Sequence, residues 1–314
     1  MKKCCGESSV RWGDNMGSEN VKSVEPEFDL SPMEGKTKIT ITVAGEKGES
    51  KTTFALSVPG TIGGISLDLK TDLIREWLES IGKRKPGEIK VWDGVKYYTA
   101  DSGDDKSIVK AGEKNYRYLN SLLDSIEGQY DWILLDGLEI LHNICELVMR
   151  HNHKIGATEG FKEFAWWKER RMFLRTIHMK ALKAARKGVI YTTYMEFVAE
   201  LVENERTVTG KKHPKWVDVI MYETDVTVHC YHREDSVGKK RYYVKVMNSK
   251  RPTFIKDGIT VEVSGPDYSK LFGANPVAVE QPEPKKPKLP SPIVAANVDN
   301  TKTQQQKEEG EIPF

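Results

Sequence analysis

The chain has 314 residues, 38% hydrophobic and 30% charged, with a net charge of +2. That length suits one large α/β domain or two modest ones. No apolar run approaches the ~18 residues that cross a bilayer, which excludes a membrane span. MKKCCGESSVRW has lysines but no apolar stretch behind them, unlike a secretory signal, so a cytoplasmic protein is expected. Cys4, Cys5, Cys145 and Cys230 lack C-x-x-C spacing and read as reduced thiols.

Residues 1–35 and 274–314 lack periodicity and read as disordered tails around a core spanning 36–273. Lys36 to Val43 (KTKITITV) alternates as a strand should, and Gly45 follows at once. Thr52 to Ser57 reads as a short helix ended by Pro59 and Gly60, and Gly64 to Leu69 as a second strand, together a βαβ unit. Lys114 to Glu127 has helical spacing, and Tyr130 to Leu135 (YDWILL) reads as a buried parallel strand ending at Asp136. Glu159 to Lys187 reads as one long helix with apolar positions from Phe164 to Leu182, stopped by Gly188. Val189 to Tyr194 is another buried strand, and Val226 to Tyr231 with Arg241 to Met247 forms an antiparallel hairpin around SVGKK. The expected fold class is α/β with a mostly parallel central sheet and a C-terminal antiparallel hairpin.

Gly45-Glu46-Lys47-Gly48-Glu49-Ser50-Lys51-Thr52 fits the phosphate-binding pattern G-x-x-x-x-[G/S]-K-[ST], with Ser50 in the place usually held by the second glycine. In such a loop, backbone N–H groups hold phosphate oxygens, Lys51 neutralises the β/γ charge, and the hydroxyl of Thr52 ligates Mg²⁺. Thr53 completes the nucleotide-binding stretch. Asp136, at the end of its strand, stands where a carboxylate would hold the metal's water shell. ATP and Mg²⁺ are therefore the expected cofactors.

With those elements in order, residues 36–273 resemble the RecA/RadA recombinase core, especially its reduced phage and archaeal-virus versions. KTTFALSVPG followed by GGISLDLKTD, and YDWILLDGLEIL, carry the resemblance. YYVKVMNSKRPTF is similar to the RecA run that sends a lysine to a neighbouring subunit's ATP, which implies that role for Lys250 and a homo-oligomer with ATP at a subunit boundary. Such recombinases commonly end the second strand D-x-E, the glutamate orienting the attacking water. Here the stretch reads Asp68-Leu69-Lys70, so Asp68 is the first candidate for that work, with Asp72 and Glu139 as alternatives. Slow turnover, with binding acting mainly as a conformational switch, is the other outcome. Thr193, at the end of its strand, matches the polar sensor of the γ-phosphate, with Thr192 and Tyr194 beside it.

From Arg150 to Lys215 there are 15 Lys/Arg against 7 Asp/Glu. RTVTGKKHPK holds Arg206, Lys211, Lys212 and Lys215 without an acid, bracketed by Tyr194, Phe197 and Trp216. Cations for phosphates and rings for bases suit single-stranded DNA, and by resemblance this is the second DNA loop, with Arg150 to Gly160 the first. Trp166 and Trp167, adjacent on a helix, cannot form one face. His151 with His153, and Cys230 with His232, have metal-ligand spacing on a strand but no further ligands nearby. The terminus EEGEIPF resembles the acidic tip of bacterial single-stranded-DNA-binding proteins, implying that Ile312, Pro313 and Phe314 dock on a replication or repair partner. The expected function is an ATP-binding and hydrolysing single-stranded-DNA protein of recombination, annealing or replication. A regulatory or helicase-loader ATPase acting on protein partners is the alternative, and a catalytically quiet scaffold a third reading.

Overall fold

The computed structural model describes residues 38–98, 104–160, 166–202, 205–215, 217–251, 254–263, 268 and 271–272, with side chains except at 199–209 and 218. In chain order the elements are β1 (Ile39–Ala44), α1 (Lys51–Ser57), β2 (Ile62–Ser66), α2 (Thr71–Ser80), β3 (Ile89–Asp93), α3 (Asp105–Ser125), β4 (Tyr130–Asp136) and α4 (Leu138–Asn152). Then follow α5 (Trp166–Ala184), β5 (Ala185–Thr193), β6 (Met195–Val202), β7 (Glu205–Pro214), α6 (Asp218–Glu223), β8 (Val226–Glu234), β9 (Lys240–Ser249) and β10 (Thr260–Val263).

Eight strands form one sheet in the order β10-β9-β8-β1-β5-β4-β2-β3. The run from β8 to β3 is parallel throughout, while β8, β9 and β10 pair antiparallel, so the expected C-terminal hairpin is present. The fold is thus mixed α/β with a mostly parallel central sheet. Both faces are covered, which is why β4 reads as a nearly continuous apolar run and why the threonines of β1 are buried alongside Ile41 and Val43. One face packs α1 and α2 through Phe54, Leu56 and Leu78 onto Ile41, Val43, Trp132 and Leu134. The other packs α3, α4, α5 and α6 through Leu119, Leu141, Ile177 and Ile220 onto Ile133, Leu135, Val189 and Tyr191.

The expectation of one helix from 159 to 187 is corrected. Helix α5 ends at Ala184 and β5 begins at Ala185, where it already pairs with Tyr130. Gly188 lies inside β5 and stops nothing: a Cβ there would sit 1.9 Å from the carbonyl oxygen of Ile39, so the close approach of β5 to β1 requires glycine. Phe164 lies outside the described residues. The basic stretch from Arg206 is also no loop. It forms β7, paired antiparallel with β6 in a separate two-stranded ribbon.

Candidate functional site

The chain leaves β1 toward β2, on one side, and returns later to β8 on the other. At such a topological switch point the carboxyl ends of parallel strands open a crevice. The loop from Gly45 to Ser50 occupies it. Gly45 is obligatory, since a Cβ would meet the Cys230 carbonyl oxygen at 2.5 Å. Gly48 turns with φ +83°. Ser50 takes φ 61°, the left-handed conformation that costs a non-glycine residue about 1 kcal/mol or more and explains why glycine is usual there.

A cleft of about 370 Å³ lies against this loop, lined by Lys47 to Thr53, Asp68, Lys70, Asp136, Glu139 and Thr192 to Tyr194, among others. Lys51 Nζ donates to the carbonyls of Gly45 and Glu46, each at 3.0 Å, and lies 4.3 Å from the centre of the Tyr194 ring. Burial lowers its pKa, with the nearby carboxylates opposing. Glu49 is buried within the loop, accepts the Glu46 N–H, and stands 3.5 Å from Nδ1 of His232.

Asp136 is the hub of the cleft. Its carboxylate accepts hydroxyls from Thr52 at 3.0 Å, Thr71 at 2.7 Å and Thr192 at 2.5 Å. Burial pushes its pKa above the carboxylate range and Asp68 adds to the rise, while the three hydroxyls oppose it. Glu139 accepts from the Thr193 hydroxyl and from Tyr194 N–H, both at 2.8 Å. The Thr193 hydroxyl also lies 2.9 Å from the carbonyl of Lys215, so its one proton can serve either that carbonyl or Glu139, and the two ends of the ribbon meet at Thr193 and Tyr194.

The structure therefore brings together Lys51, Thr52, Asp136, Asp68, Thr192, Thr193 and the alternative carboxylate Glu139, and adds Thr71. Asp72 is absent from the cleft lining and pairs with Arg75 on α2. Lys250 follows the last residue of β9, whereas the first residues of β9 lie near the loop. Lys250 N–H donates to the Asp225 carbonyl, and Asp225 N–H to that of Thr40 near the start of β1, so Lys250 sits toward the end of the sheet away from the phosphate loop. Lys211, Lys212 and Lys215 are exposed, Lys212 contacting Glu46 Oε1 at 2.5 Å and lying 4.6 Å from the Phe197 ring centre. The Arg206 side chain, Trp216 and Ile312 to Phe314 lie outside what is described.

His151 belongs to helix α4 and His153 caps it, so the shared strand face expected for them does not exist; His153 bonds Glu169 and stacks on Trp166. Cys230 is buried beside the Gly45 turn. Among the described residues no group of three or more His, Cys, Asp or Glu side chains is arranged to hold a metal. Nor, among them, is any helix long and apolar enough to cross a membrane. A magnesium ion can nevertheless be held by one carboxylate, a hydroxyl, waters and phosphate oxygens, and Thr52 with Asp136 fits that donor set.

Fold and site together define a mixed α/β protein with a glycine loop, lysine and buried aspartate at the sheet's switch point. No family model and no curated protein matches the chain. Among solved structures, it is similar to an uncharacterized protein from Pyrococcus horikoshii solved with an unknown peptide, at 12% identity over 73% of this chain and 89% of that one, with a TM-score of 0.32. A similarity that low carries no argument.

Proposed function

We propose that this chain is a RecA-like P-loop ATPase that binds ATP with Mg²⁺ and acts on single-stranded DNA. The observation that carries the reading is the meeting of Lys51, the Thr52 hydroxyl and the Asp136 carboxylate at one cleft beside a glycine loop, brought from positions 84 residues apart. Lys51 would turn from its own loop's carbonyls to phosphate oxygens, while Thr52 and Asp136 would hold the metal, which supplies charge neutralisation at the phosphates. Hydrolysis to ADP and phosphate needs a carboxylate to orient water. Both Asp68 and Glu139 line the cleft, and Glu139 alone is fixed by two hydrogen bonds. Glu139 is therefore preferred over Asp68.

The ribbon offers Lys212 over the exposed ring of Phe197, with Lys211 exposed at the adjacent position, a pattern suited to backbone phosphates and stacked bases. Lys215 is exposed at the end of the same ribbon, and Arg206 enters the proposal from its sequence position alone. Thr193 serves as the sensor, because its hydroxyl joins Glu139 to the ribbon's end. Lys250 would act only on a neighbouring subunit, and Ile312-Pro313-Phe314 would dock on a replication or repair protein.

The test is equilibrium binding of a fluorescent ATP analogue to the full chain and to Lys51→Ala. Binding at micromolar protein that disappears in the variant supports the reading; equal binding by both proteins sinks it. Filter binding to single-stranded DNA with and without ATP then separates the DNA reading from the loader reading, which predicts retention of nucleotide but not of DNA.

A further inference from the structure

Strands β8 and β9 send alternate side chains to opposite faces of the sheet. Val226, Val228, Cys230, Val244 and Val246 enter the core that holds Phe54 and Leu78. The residues between them, His229, Tyr231 and Arg233 on β8 with Arg241, Tyr243 and Lys245 on β9, belong to neither core. Pairing sets them in three rows: His229 opposite Lys245, Tyr231 opposite Tyr243, and Arg233 opposite Arg241. Arg233, Arg241 and Lys245 are exposed, and the three rings are half-buried. A solvated sheet face ordinarily carries polar residues, so three rings among cations call for an account.

Tyr231 and Tyr243 stack with centroids 5.3 Å apart and planes 18° from parallel, and His229 lies 5.2 Å from Tyr231. The Arg233 guanidinium is 5.4 Å and 5.6 Å from the two tyrosine rings. A cross-strand ring pair would by itself stabilise the hairpin, but it does not require the cations around it. Arg241 is matched by Asp235 at 3.3 Å and Glu262 at 3.2 Å, whereas Arg233 and Lys245 enter no ion pair among the described residues. At the other edge, burial lowers the His229 pKa; Glu49 and Glu46 oppose the shift, and Lys245 and Lys212 add to it. The ribbon's Lys212 therefore borders this face, and of the two acids there Glu46 is held by Lys212 and Glu49 by His232.

A lysine over a ring recurs on the ribbon, where Lys212 lies 4.6 Å from the centre of Phe197. Free cations beside partly open rings suit a strand of phosphates and bases, as on other sheet faces that stack single-stranded nucleic acid. We propose that the open face of β8 and β9 is a second single-stranded-DNA surface, with bases stacking on Tyr231 and Tyr243 and phosphates paired to Arg233 and Lys245. It serves the single-stranded-DNA reading, on which it rests, by continuing the strand's path from the ribbon past His229.

Fluorescence anisotropy of the full chain with a labelled oligothymidylate, and with an abasic oligonucleotide of equal length, tests it. The abasic strand has the phosphates without the bases. Tyr231→Leu and Tyr243→Leu keep an apolar cross-strand pair, yet each weakens thymidylate binding about fivefold or more and leaves abasic binding unchanged. Tyr231→Phe and Tyr243→Phe bind as the unaltered protein does. Arg233→Ala and Lys245→Ala weaken both strands, and each flattens the dependence on salt by about one counterion. Leucine variants that bind thymidylate normally, or that lose both strands equally, overturn the proposal. So do leucine variants that change only sedimentation, which would make this face a protein contact. Should a leucine variant melt early by circular dichroism, the two alanine variants at exposed positions decide: unchanged affinity and salt slope in both overturn it. Unaltered protein that binds no oligonucleotide sinks the single-stranded-DNA reading as well. Binding that is lost in Lys212→Ala but indifferent to both tyrosines leaves that reading standing and removes this surface alone.

Discussion

At the scale of single residues, the cleft concentrates charge where burial opposes it. Asp136 is 2% exposed and its pKa is raised, first by burial and then by Asp68. A carboxyl that binds its proton more tightly folded than unfolded loses stability as pH climbs from the ordinary carboxylate range, near 4, through its folded value. Above that value the penalty is complete. Asp136→Asn should therefore melt higher than wild type at pH 7, and the gap should shrink on acidification, as thermal unfolding at several pH values would reveal. The same variant should lose stabilisation by magnesium and ATP. Glu49 raises a related question, since its buried carboxylate already holds the Glu46 N–H that an anion would seek. Glu49→Gln keeps an acceptor and removes the charge, so ATP affinity measured by calorimetry should rise several-fold, about 1 kcal/mol. An unchanged affinity would mean that Glu49 swings clear on binding. Lys51, Thr52 and Asp136 were legible in the sequence because their spacing is tied to one chemistry. In the sequence Thr192 and Glu139 figure only as a neighbour and an alternative, and Thr71 not at all, because the folded arrangement of the strands is what brings them to the cleft.

Elements show a similar division. The β1–loop–α1 unit, the β4 run and the β8–β9 hairpin were readable from alternation, apolar runs and turn residues. The α5–β5 junction was not, because Ala184 and Ala185 carry no stop signal and the change from helix to strand is imposed by pairing with Tyr130. Ribbon β6–β7 was missed because MEFVAELV on β6 does not alternate strictly and ERTVTGKKHP on β7 reads as a loop for its charge. Gly188 provides the sharpest test at this scale. Adding one methyl group sets it against the Ile39 backbone, which cannot rotate away as a side chain would. Gly188→Ala should cost at least about 1–3 kcal/mol in urea unfolding, the range for overpacked interiors. Gly210→Ala, on β7 with nothing within 4 Å of the added carbon, should be close to neutral. Similar losses in both would show that the cost does not come from the β1–β5 approach, since the backbone-entropy change on its own favours alanine.

Across the whole molecule, the ribbon touches the phosphate loop in two places. Lys212 pairs with Glu46 at 2.5 Å, and Tyr194, at the ribbon's base, covers Lys51 at 4.3 Å. A lysine that binds Glu46 cannot at the same time neutralise a DNA phosphate. In the proposed DNA-binding protein, nucleotide arriving at the loop would compete for the surroundings of Glu46 and Lys51 and so release the ribbon. Glu46→Gln should mimic part of that release: affinity for single-stranded DNA without ATP should rise by up to about fivefold, since a pair exposed at both ends contributes at most about 1 kcal/mol. The slope of affinity against salt should steepen by up to about one counterion, because one more lysine reaches the backbone. Lys212→Ala should weaken DNA binding and, combined with Glu46→Gln, cancel the gain, because the freed cation is then missing. Fluorescence anisotropy with a labelled oligonucleotide over 50 to 200 mM salt, roughly the range in which counterion release is measured, distinguishes these outcomes. If Glu46→Gln raises affinity equally in the presence and absence of Lys212, the gain comes from lost acidity at the surface and the ribbon is not latched to the loop.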